Sequence, residues 1–439
     1  MIKNCIIQNK HEKEYLIKDD YVIREKLTDA LPEIDNSQIK VIIGPRRSGK
    51  SVFCSLLLKD RSFAYVNFDD ENLLQVKNYD LILESIFEVY GNVEYLFFDE
   101  IQNLHQWELF VNKLKRRKYK IILTGSNANL LSQELASALT GRYSSFEILP
   151  FSFSEFFHSM NETISDEEIA IPEKKGFLLQ KAEQYLIKGG YPEVVVDGLD
   201  PKNYLGTLFD AILFKDIVTR YQVRYPHKLN QLAQWFITNF TSEYTYSRLR
   251  KNLNFSSVLT VEKYVGYLEN AYLFFSLRKF SVKLKEQIKS PRKIYLIDNG
   301  FIYARAFQVS KDAGRLLENC VFLELLRRGN SLDTNLFYYK TSNNKEIDFV
   351  VRNSEGIQAL YQVSYSISDD KTREREIRAL IHASRELNCS RLYLISWDTE
   401  EQIMNNNKYI CVVPFWKWAT QHLDSGDHQS DISLGMLGK

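Results

Sequence analysis

The chain has 439 residues, a net charge of +1, 44% hydrophobic residues and 26% charged residues. This length and composition are typical of a folded protein of roughly two to four domains, and the near-neutral charge excludes a uniformly basic chain but not local basic patches. A membrane-spanning helix needs about 18 apolar residues in a row, and no apolar run in the sequence is that long. Residues 1–10 lack the apolar core of an export signal. Five cysteines without paired spacing favour reduced thiols, so we expect a cytoplasmic protein without membrane contact.

Residues 1–40 predict a helical lead that Pro32 interrupts, and an apolar strand begins at Val41. The next residues fill every fixed position of the phosphate-binding loop pattern, which is Gly, four residues, then Gly-Lys-Ser/Thr. A helix is predicted after the loop, so its positive end faces a bound anion. The residues expected to bind nucleotide phosphates are Gly44, Pro45, Arg46, Arg47, Ser48, Gly49, Lys50, Ser51 and Val52.

Two side chains of this loop have more specific expected roles. Lys50 is placed to reach the β- and γ-phosphates, and the Ser51 hydroxyl is placed to bind Mg²⁺. Glycines let the backbone curl so that several N–H groups point inward at phosphate oxygens. The alternative is a tight strand-to-helix turn that binds no ligand.

Further along, short apolar strands alternate with helices, which predicts a parallel α/β sheet with its ligands at the carboxyl ends of the strands. The run 95–98 is apolar throughout, as expected of a strand buried on both faces, and it ends in Asp99-Glu100. Asp99 can hold Mg²⁺ through water, and Glu100 can polarise the attacking water as a general base. Two solvated acids at a strand end are the alternative interpretation.

The strand at 121–123 ends in Thr124-Gly125-Ser126-Asn127. Thr124 and Ser126 are candidates for contacting the γ-phosphate or orienting the water, and a helix N-cap is an equally good explanation. Arg142 can act on the phosphoryl group in trans, which requires a homo-oligomer, or it can be an ordinary surface arginine. GTP is disfavoured because the guanine-reading Asn-Lys-x-Asp pattern is missing, so the sequence favours an adenine nucleotide.

After Pro150 the pattern changes to helices that continue to about residue 225, and residues 227–298 predict three helices followed by two strands. From residue 314 a helix, then strands at 336–340, 346–352 and 358–365, a charged helix at 370–387 and two more strands are predicted. Residues 421–439 are polar and contain glycine, which is typical of a disordered tail.

The motifs GPRRSGKS, FFDEIQN, ILTGSN, GRYSSFEILPFSFSEF and GGYPEVV resemble, in that order, those of the prokaryotic AAA-type ATPases with a C-terminal domain of unknown function. The resemblance covers nearly the whole chain and implies an α/β multidomain fold and the cofactors ATP and Mg²⁺. The domains that it implies are a P-loop AAA-type core with its lead (1–150), a helical lid (151–226), a winged-helix segment (227–310), a degenerate restriction-endonuclease-like domain (311–420) and the tail (421–439).

In the implied winged-helix segment, Thr260 is expected to cap a helix at 261–270 that carries Lys263 as its one cation. The hairpin that follows is strongly basic, with seven cations against the single acid Glu286. A basic wing of this kind can grip DNA or RNA phosphates without reading bases, or it can be a solvated loop or a protein-binding face. The hairpin cations are Arg278, Lys279, Lys283, Lys285, Lys289, Arg292 and Lys293.

The last domain resembles a nuclease core whose chemistry is incomplete. Glu318 on a helix and Asp348 on a strand match metal-binding acids, but Gln362 and Ser364 stand where Glu and Lys are needed. A neutral amide binds Mg²⁺ poorly and serine supplies no cation, so we expect the fold without cleavage.

Three functions remain open on the sequence. The first is an ATP-hydrolysing switch or machine that acts on nucleic acid or a protein. The second is a nucleic-acid-binding regulatory protein for which ATP is only a ligand, and an ATP-controlled nuclease is a further alternative.

Overall fold

The computed structural model describes residues 1–18, 21–127, 141–160, 162, 166–306 and 312–420. The predicted tail at 421–439 lies outside the described residues. Within them the chain is an α/β multidomain protein, as the sequence predicted, and its strands form three sheets. None of the described helices is long and apolar enough to cross a membrane.

The first sheet is parallel throughout, with strand order β2-β3-β4-β1-β5. Its strands are β1 (Ile39–Ile43), β2 (Phe63–Asn67), β3 (Tyr95–Asp99), β4 (Lys120–Gly125) and β5 (Tyr143–Glu147). Successive side chains of a strand point to opposite faces. Accordingly Leu96 and Phe98 of β3 pack into one core, while Tyr95 and Phe97 pack into another on the opposite face.

Helices cover both faces of this sheet. They are α1 (Ile2–Lys18), α2 (Lys26–Ala30), α3 (Lys50–Leu57), α4 (Glu71–Leu74), α5 (Asp80–Tyr90) and α6 (Trp107–Arg116), with 3₁₀ turns at Leu31–Glu33 and Ile101–Asn103. Because both faces are covered, the central strands read as continuous apolar runs, which is why the sequence identified them.

The chain then forms a run of helices that packs into one large core with the rest of the molecule. These helices are α7 (Phe153–His158), α8 (Asp166–Ile169), α9 (Pro172–Lys188), α10 (Pro192–Val195), α11 (Pro201–Ala211) and a π-helical segment (Ile212–Thr219). Helix α7 begins with a reciprocal capping box between Ser152 and Glu155.

The next segment alternates helices with a small antiparallel sheet of order β6-β8-β7. Its elements are α12 (Pro226–Thr238), β6 (Glu243–Tyr244), α13 (Tyr246–Asn252), α14 (Val258–Asn270), β7 (Phe274–Arg278), α15 (Leu284–Lys289), β8 (Arg292–Leu296) and α16 (Asn299–Arg305).

One local prediction in this segment was wrong. Helix α14 begins at Val258 rather than at 261, and its N-cap is Ser257 rather than Thr260, since the Ser257 hydroxyl accepts the Thr260 backbone N–H. The strands of the basic hairpin pair antiparallel as β7 and β8, and the short helix α15 lies between them.

The C-terminal part holds a mixed six-stranded sheet of order β13-β14-β12-β11-β10-β9. Its elements are α17 (Ala313–Arg327), β9 (Leu336–Lys340), β10 (Glu346–Arg352), β11 (Ile357–Val363), α18 (Asp370–Glu386), β12 (Leu392–Ser396), β13 (Glu401–Asn405), β14 (Lys408–Pro414) and α19 (Phe415–Thr420). A bridge between Lys279 and Tyr338 joins this sheet to the small one.

Gly190 marks a place where the backbone packs too closely for a side chain. Its N–H donates to Asp298 Oδ2 at 2.8 Å, and its carbonyl accepts from the Phe151 N–H at 2.8 Å. A Cβ at this position would lie 2.4 Å from the Phe151 carbonyl oxygen. The turn between α9 and α10 is therefore held against the start of α7.

We expect Gly190→Ala to lower the free energy of unfolding by about 2 kcal/mol or more, because the backbone must move to relieve the clash. Gly206→Ala is the control, since nothing lies within 4 Å of a Cβ in the middle of α11. That substitution should be neutral or stabilise by up to about 1 kcal/mol. Urea unfolding of both variants measures the difference, and equal effects would contradict the packing of this turn.

Candidate functional site

The loop between β1 and α3 forms the floor of the candidate site. Gly49 precedes the first turn of α3 with a φ of 89°, a left-handed conformation that glycine adopts without strain. A Cβ on Gly44 would lie 2.1 Å from the Ile148 carbonyl oxygen. Glycine is therefore required at both ends of the loop, and α3 directs its N-terminus at the loop's concave side.

Lys50 lies at the start of α3 with its ammonium group buried at this loop. Its Nζ donates to the Pro45 carbonyl oxygen at 2.9 Å and lies 3.6 Å from Glu100 Oε1. The lysine thus bridges the loop and the end of β3. A bound anion can replace the carboxylate as the partner of this ammonium.

Asp99 ends β3 and is buried at the centre of the site. Its Oδ2 accepts the Ser51 hydroxyl at 2.7 Å and the Tyr65 hydroxyl at 3.0 Å, and its Oδ1 accepts the Thr124 hydroxyl. Burial and the neighbouring Glu100 charge raise the pKa of the Asp99 carboxyl above its usual range, although the hydroxyl donors act against this. The three donors come from α3, β2 and β4, so this carboxylate joins three elements.

Glu100 follows with a φ of 50°, a left-handed backbone that turns its side chain away from the strand. The Thr124 hydroxyl accepts the Glu100 backbone N–H at 2.9 Å, and Glu100 Oε2 accepts the Ser126 hydroxyl at 3.0 Å and a bond from Gln102. Burial alone would raise the pKa of Glu100, but the Lys50 ammonium and these donors hold it below its usual range. The side chain is therefore an oriented, ionised carboxylate at neutral pH.

A cavity of about 680 Å³ opens above the loop. Its polar side carries Lys50, Ser51, Asp99 and Glu100. Its apolar wall comes from α1, α3, α10 and the residues after α1 and α10, including Tyr15, Val22, Val52, Pro192 and Val196. The cavity therefore combines an anion-binding floor with an apolar wall of the kind that receives a flat ring.

Two loop arginines point out to the helical region. Arg46 Nη1 lies 3.0 Å from Asp216 Oδ1 in the π-helical segment, and Arg47 Nη1 lies 2.7 Å from Glu193 Oε1 in α10. These side chains join the loop to the helices that follow the sheet.

Arg24, which the sequence analysis did not identify, supports the loop from below. Its guanidinium is buried and donates to the Ser48 carbonyl oxygen at 2.8 Å and to the Leu149 carbonyl oxygen. Its Nε also lies 2.9 Å from Glu155 Oε1. No local pattern marks this residue, because the partners named here lie more than 20 positions away along the chain.

Arg142 lies at the opposite edge of the sheet from the loop. It is exposed, and its carbonyl oxygen accepts the Ile39 N–H at 2.9 Å at the amino end of β1 and β5. Five-residue strands place it about 13 Å or more from the carboxyl edge. Arg142 therefore does not reach the site of its own chain, and its role in trans stays a prediction.

Beyond Ser126, Asn127 extends the site toward helix α14. Its Nδ2 donates to the Tyr221 hydroxyl at 3.1 Å, and the Tyr221 ring stacks on Tyr267 with centroids 3.9 Å apart. Asn270 also donates to the Tyr221 hydroxyl at 3.3 Å. Sequence reasoning missed Tyr221 and Tyr65 because single tyrosines carry no motif.

The cations predicted to form one basic surface do not all lie at the surface. Lys283, Lys285 and Lys289 are exposed on α15 and the turn before it. Lys263 on α14 is exposed, and its Nζ lies 5.8 Å from the centroid of the Tyr267 ring. Lys293 is different, because it is 1% exposed and points into the C-terminal sheet.

The predicted nuclease residues lie together around that lysine. Lys293 Nζ lies 2.6 Å from Glu318 Oε1 and 3.3 Å from Asp348 Oδ1. Gln362 lies on β11, whose antiparallel register with β10 places it across from Asp348, whereas Ser364 follows the strand and donates to the Ser366 carbonyl oxygen. Placing Lys293 in an exposed wing was therefore wrong.

Comparison with known proteins gives matches along most of the chain. Residues 36–157 match the AAA domain family, and residues 179–312 and 313–418 match two domains of unknown function, DUF8612 and DUF4143. An uncharacterized protein of Methanocaldococcus jannaschii is 35% identical over 95% of this chain and 97% of its own length. An uncharacterized protein of Haemophilus influenzae is 34% identical over 76% of this chain and 84% of its own.

A Walker-type ATPase of Pyrococcus abyssi is a structural neighbour at 14% identity, with a TM-score of 0.41 over 66% of this chain and 97% of that one.

The hydroxyl of Thr124 offers a test of the Asp99 centre. We expect Thr124→Val to lower the free energy of unfolding by about 1–3 kcal/mol, since a buried carboxylate and the Glu100 N–H each lose a partner. The folded-state pKa of Asp99 is already raised, and losing a donor raises it further. A carboxyl group whose pKa is raised in the folded state stabilises that state at low pH, and this stabilisation is lost as the pH rises. The stability difference between wild type and Thr124→Val should therefore grow from about pH 4 to about pH 8.

Thr28→Val is the matched control, because the exposed Thr28 hydroxyl donates to a backbone carbonyl oxygen at 2.8 Å and faces no carboxylate. Its effect should be small and independent of pH. Chemical denaturation across this pH range measures both variants, and a pH-independent loss in Thr124→Val would contradict the contact with Asp99.

Proposed function

The chain belongs to the family of prokaryotic AAA-type P-loop ATPases that carry a C-terminal domain of unknown function, and we propose that it binds ATP with Mg²⁺ and hydrolyses it. Hydrolysis then drives a switch or machine that acts on nucleic acid or on a protein partner. The observation that carries the proposal is the convergence of Lys50, Ser51, Asp99 and Glu100 on one cavity above the loop.

The residues present fit both the phosphates and the ion. The Ser48 hydroxyl is buried with no hydrogen-bond partner among the described residues, which suits a loop built to donate to a ligand. Ser51 Oγ and Asp99 Oδ2, 2.7 Å apart, are adjacent oxygen ligands of the kind Mg²⁺ prefers. These two would hold the ion, which when bound neutralises phosphate charge.

Glu100 is the proposed general base. Its backbone is fixed by Thr124 and its carboxylate by Ser126, so the group is oriented before substrate arrives. Its lowered pKa keeps it ionised and able to accept a proton from water. In this structure Glu100 forms an ion pair with Lys50 at 3.6 Å. Phosphates that bind the Lys50 ammonium would replace Glu100 in this pair and leave its carboxylate free to face the attacking water.

A nucleic-acid contact is the finer part of the proposal. The order helix, strand, helix, helix, strand, helix, strand in residues 226–296 supports the proposal of a winged helix whose wing contains α15. The wing exposes Lys283, Lys285 and Lys289 beside the apolar side chains Val282 and Leu284, which are 93% and 64% exposed. Ammonium groups on a protruding helix suit phosphate contacts that carry no base information.

Glu100→Gln tests hydrolysis. We expect ATP to stay bound while turnover falls by about 10²-fold or more, because the base loses its charge. Lys50→Ala should instead lose ATP affinity, since it removes the cation on the phosphates. Lys59→Ala, an exposed lysine just beyond the far end of α3, is the control and should change neither quantity.

Titration with a fluorescent ATP analogue and steady-state phosphate release, each with and without DNA, give the two readouts. Wild-type turnover in Glu100→Gln would place the base elsewhere. Binding without turnover in the wild-type protein, at every DNA concentration, would favour a nucleic-acid-binding protein that uses ATP as a ligand only.

Replacing Lys283, Lys285 and Lys289 together with Ser tests the wing. We expect weaker DNA or RNA binding, similar across sequences, and a salt dependence flatter by up to about 0.9 per lost contact on duplex DNA. The control replaces Lys202, Lys345 and Lys371, which are also exposed, and removes the same charge elsewhere. Equal binding by the two triple variants would assign the wing to another partner.

A further inference from the structure

The C-terminal part holds a buried cation that comes from outside it. Lys293 lies on β8 of the small sheet and is 1% exposed. Its Nζ lies 2.6 Å from Glu318 Oε1, 2.9 Å from Glu346 Oε1 and 3.3 Å from Asp348 Oδ1. One ammonium therefore sits among three carboxylates that α17 and β10 supply.

The charges explain why this lysine is tolerated without water. Burial alone would lower the pKa of the Lys293 ammonium, but the carboxylates of Glu318, Asp348 and Glu346 together raise it well above its usual range. Burial and the Glu318 charge raise the pKa of Asp348. A buried charge without partners costs several kcal/mol, so the lysine and the carboxylates each stabilise the other in the folded protein.

The cluster also contains unused oxygen ligands. Gln362 is 7% exposed, and its Oε1 has no hydrogen-bond partner among the described residues. Strand register places it opposite Asp348, on the same face of the sheet, because Phe349 pairs with Tyr361 in antiparallel strands. The three carboxylates are oxygen ligands of the kind that a divalent cation prefers, and the unpartnered amide oxygen is a weaker, neutral ligand beside them.

We propose that the Lys293 ammonium permanently occupies the place of a divalent cation in the C-terminal part, so that this carboxylate cluster is a lysine-filled cation site. The site is closed to a divalent cation in the wild-type protein. Among the described residues, no group of three or more His, Cys, Asp or Glu is arranged to hold a metal ion, so the proposal requires these acids to close around the ion once the ammonium is removed.

Hydrogen bonds and an ion pair join the segment that carries Lys293 to the C-terminal sheet. The Phe280 N–H donates to the Tyr338 carbonyl oxygen at 2.7 Å, and the Tyr338 hydroxyl donates to the Pro291 carbonyl oxygen at 2.6 Å. Lys340 Nζ lies 2.7 Å from Glu243 Oε2. Withdrawing Lys293 would therefore require β8 to separate from the C-terminal sheet.

Lys293→Met tests the proposal, because it keeps a long side chain and removes the charge. We expect the full-length variant, without nucleotide, to bind one more Mn²⁺ per chain than wild type in equilibrium dialysis. Its thermal midpoint should rise with added Mn²⁺ by several degrees more than that of wild type, since only the folded state forms the site. Adding Asp348→Asn should abolish the additional binding.

Lys340→Met is the matched control, because it removes an ammonium at the same interface, 3.7 Å from Glu346 but paired mainly with Glu243. It should bind no additional Mn²⁺. If it binds as much as Lys293→Met, the extra ion reflects general negative charge and the proposal is overturned.

A second variant and a refolding experiment cover the case in which Lys293→Met fails to fold. Lys293→Gln, which keeps an N–H donor toward Glu318, is measured in the same way, and both variants are also refolded with Mn²⁺ present. Refolding that depends on Mn²⁺ supports the proposal. Folded variants without additional Mn²⁺, variants that stay unfolded with Mn²⁺, or wild type that already binds the ion at Asp348, each overturn it.

Discussion

The carboxylate of Asp99 lies buried at the carboxyl edge of the parallel sheet, where it accepts hydroxyl groups from α3, β2 and β4. A buried charge is tolerated only when it is paired or hydrogen-bonded. Ser51 and Thr124 must therefore stay next to it, which fixes the loop and the end of β4 relative to β3. Glu100 gains its position from the same arrangement, because the hydroxyl that serves Asp99 also accepts the Glu100 N–H.

The same constraint joins the loop to the rest of the molecule. Arg24 is buried and finds its partners in the loop, after β5 and in α7. Arg46 and Arg47 reach the helical region through Asp216 and Glu193. The loop is therefore tied by ion pairs to two helical segments that follow the sheet.

At the other end of the chain, the acids of the C-terminal sheet are satisfied by a lysine from a neighbouring segment. Lys293 and the sheet bridge at Lys279 make the small sheet and the C-terminal sheet one packed unit. The Lys293 ammonium supplies the positive charge that these buried carboxylates need. The proposed wing belongs to the same small sheet, so a partner bound to the wing would contact this packed unit.

The sequence alone determined the features that local chemistry encodes. The loop from Gly44 to Ser51, the acids Asp99 and Glu100, and the bounds of β9 and β10 follow from spacing, glycine placement and apolar runs within a few residues. The tertiary structure decided which distant charged groups form ion pairs with each other. Arg24 and Glu155 are more than a hundred positions apart, and Lys293 and Asp348 are 55 apart. No local pattern records such a pair, since its energy arises only when folding removes both groups from water.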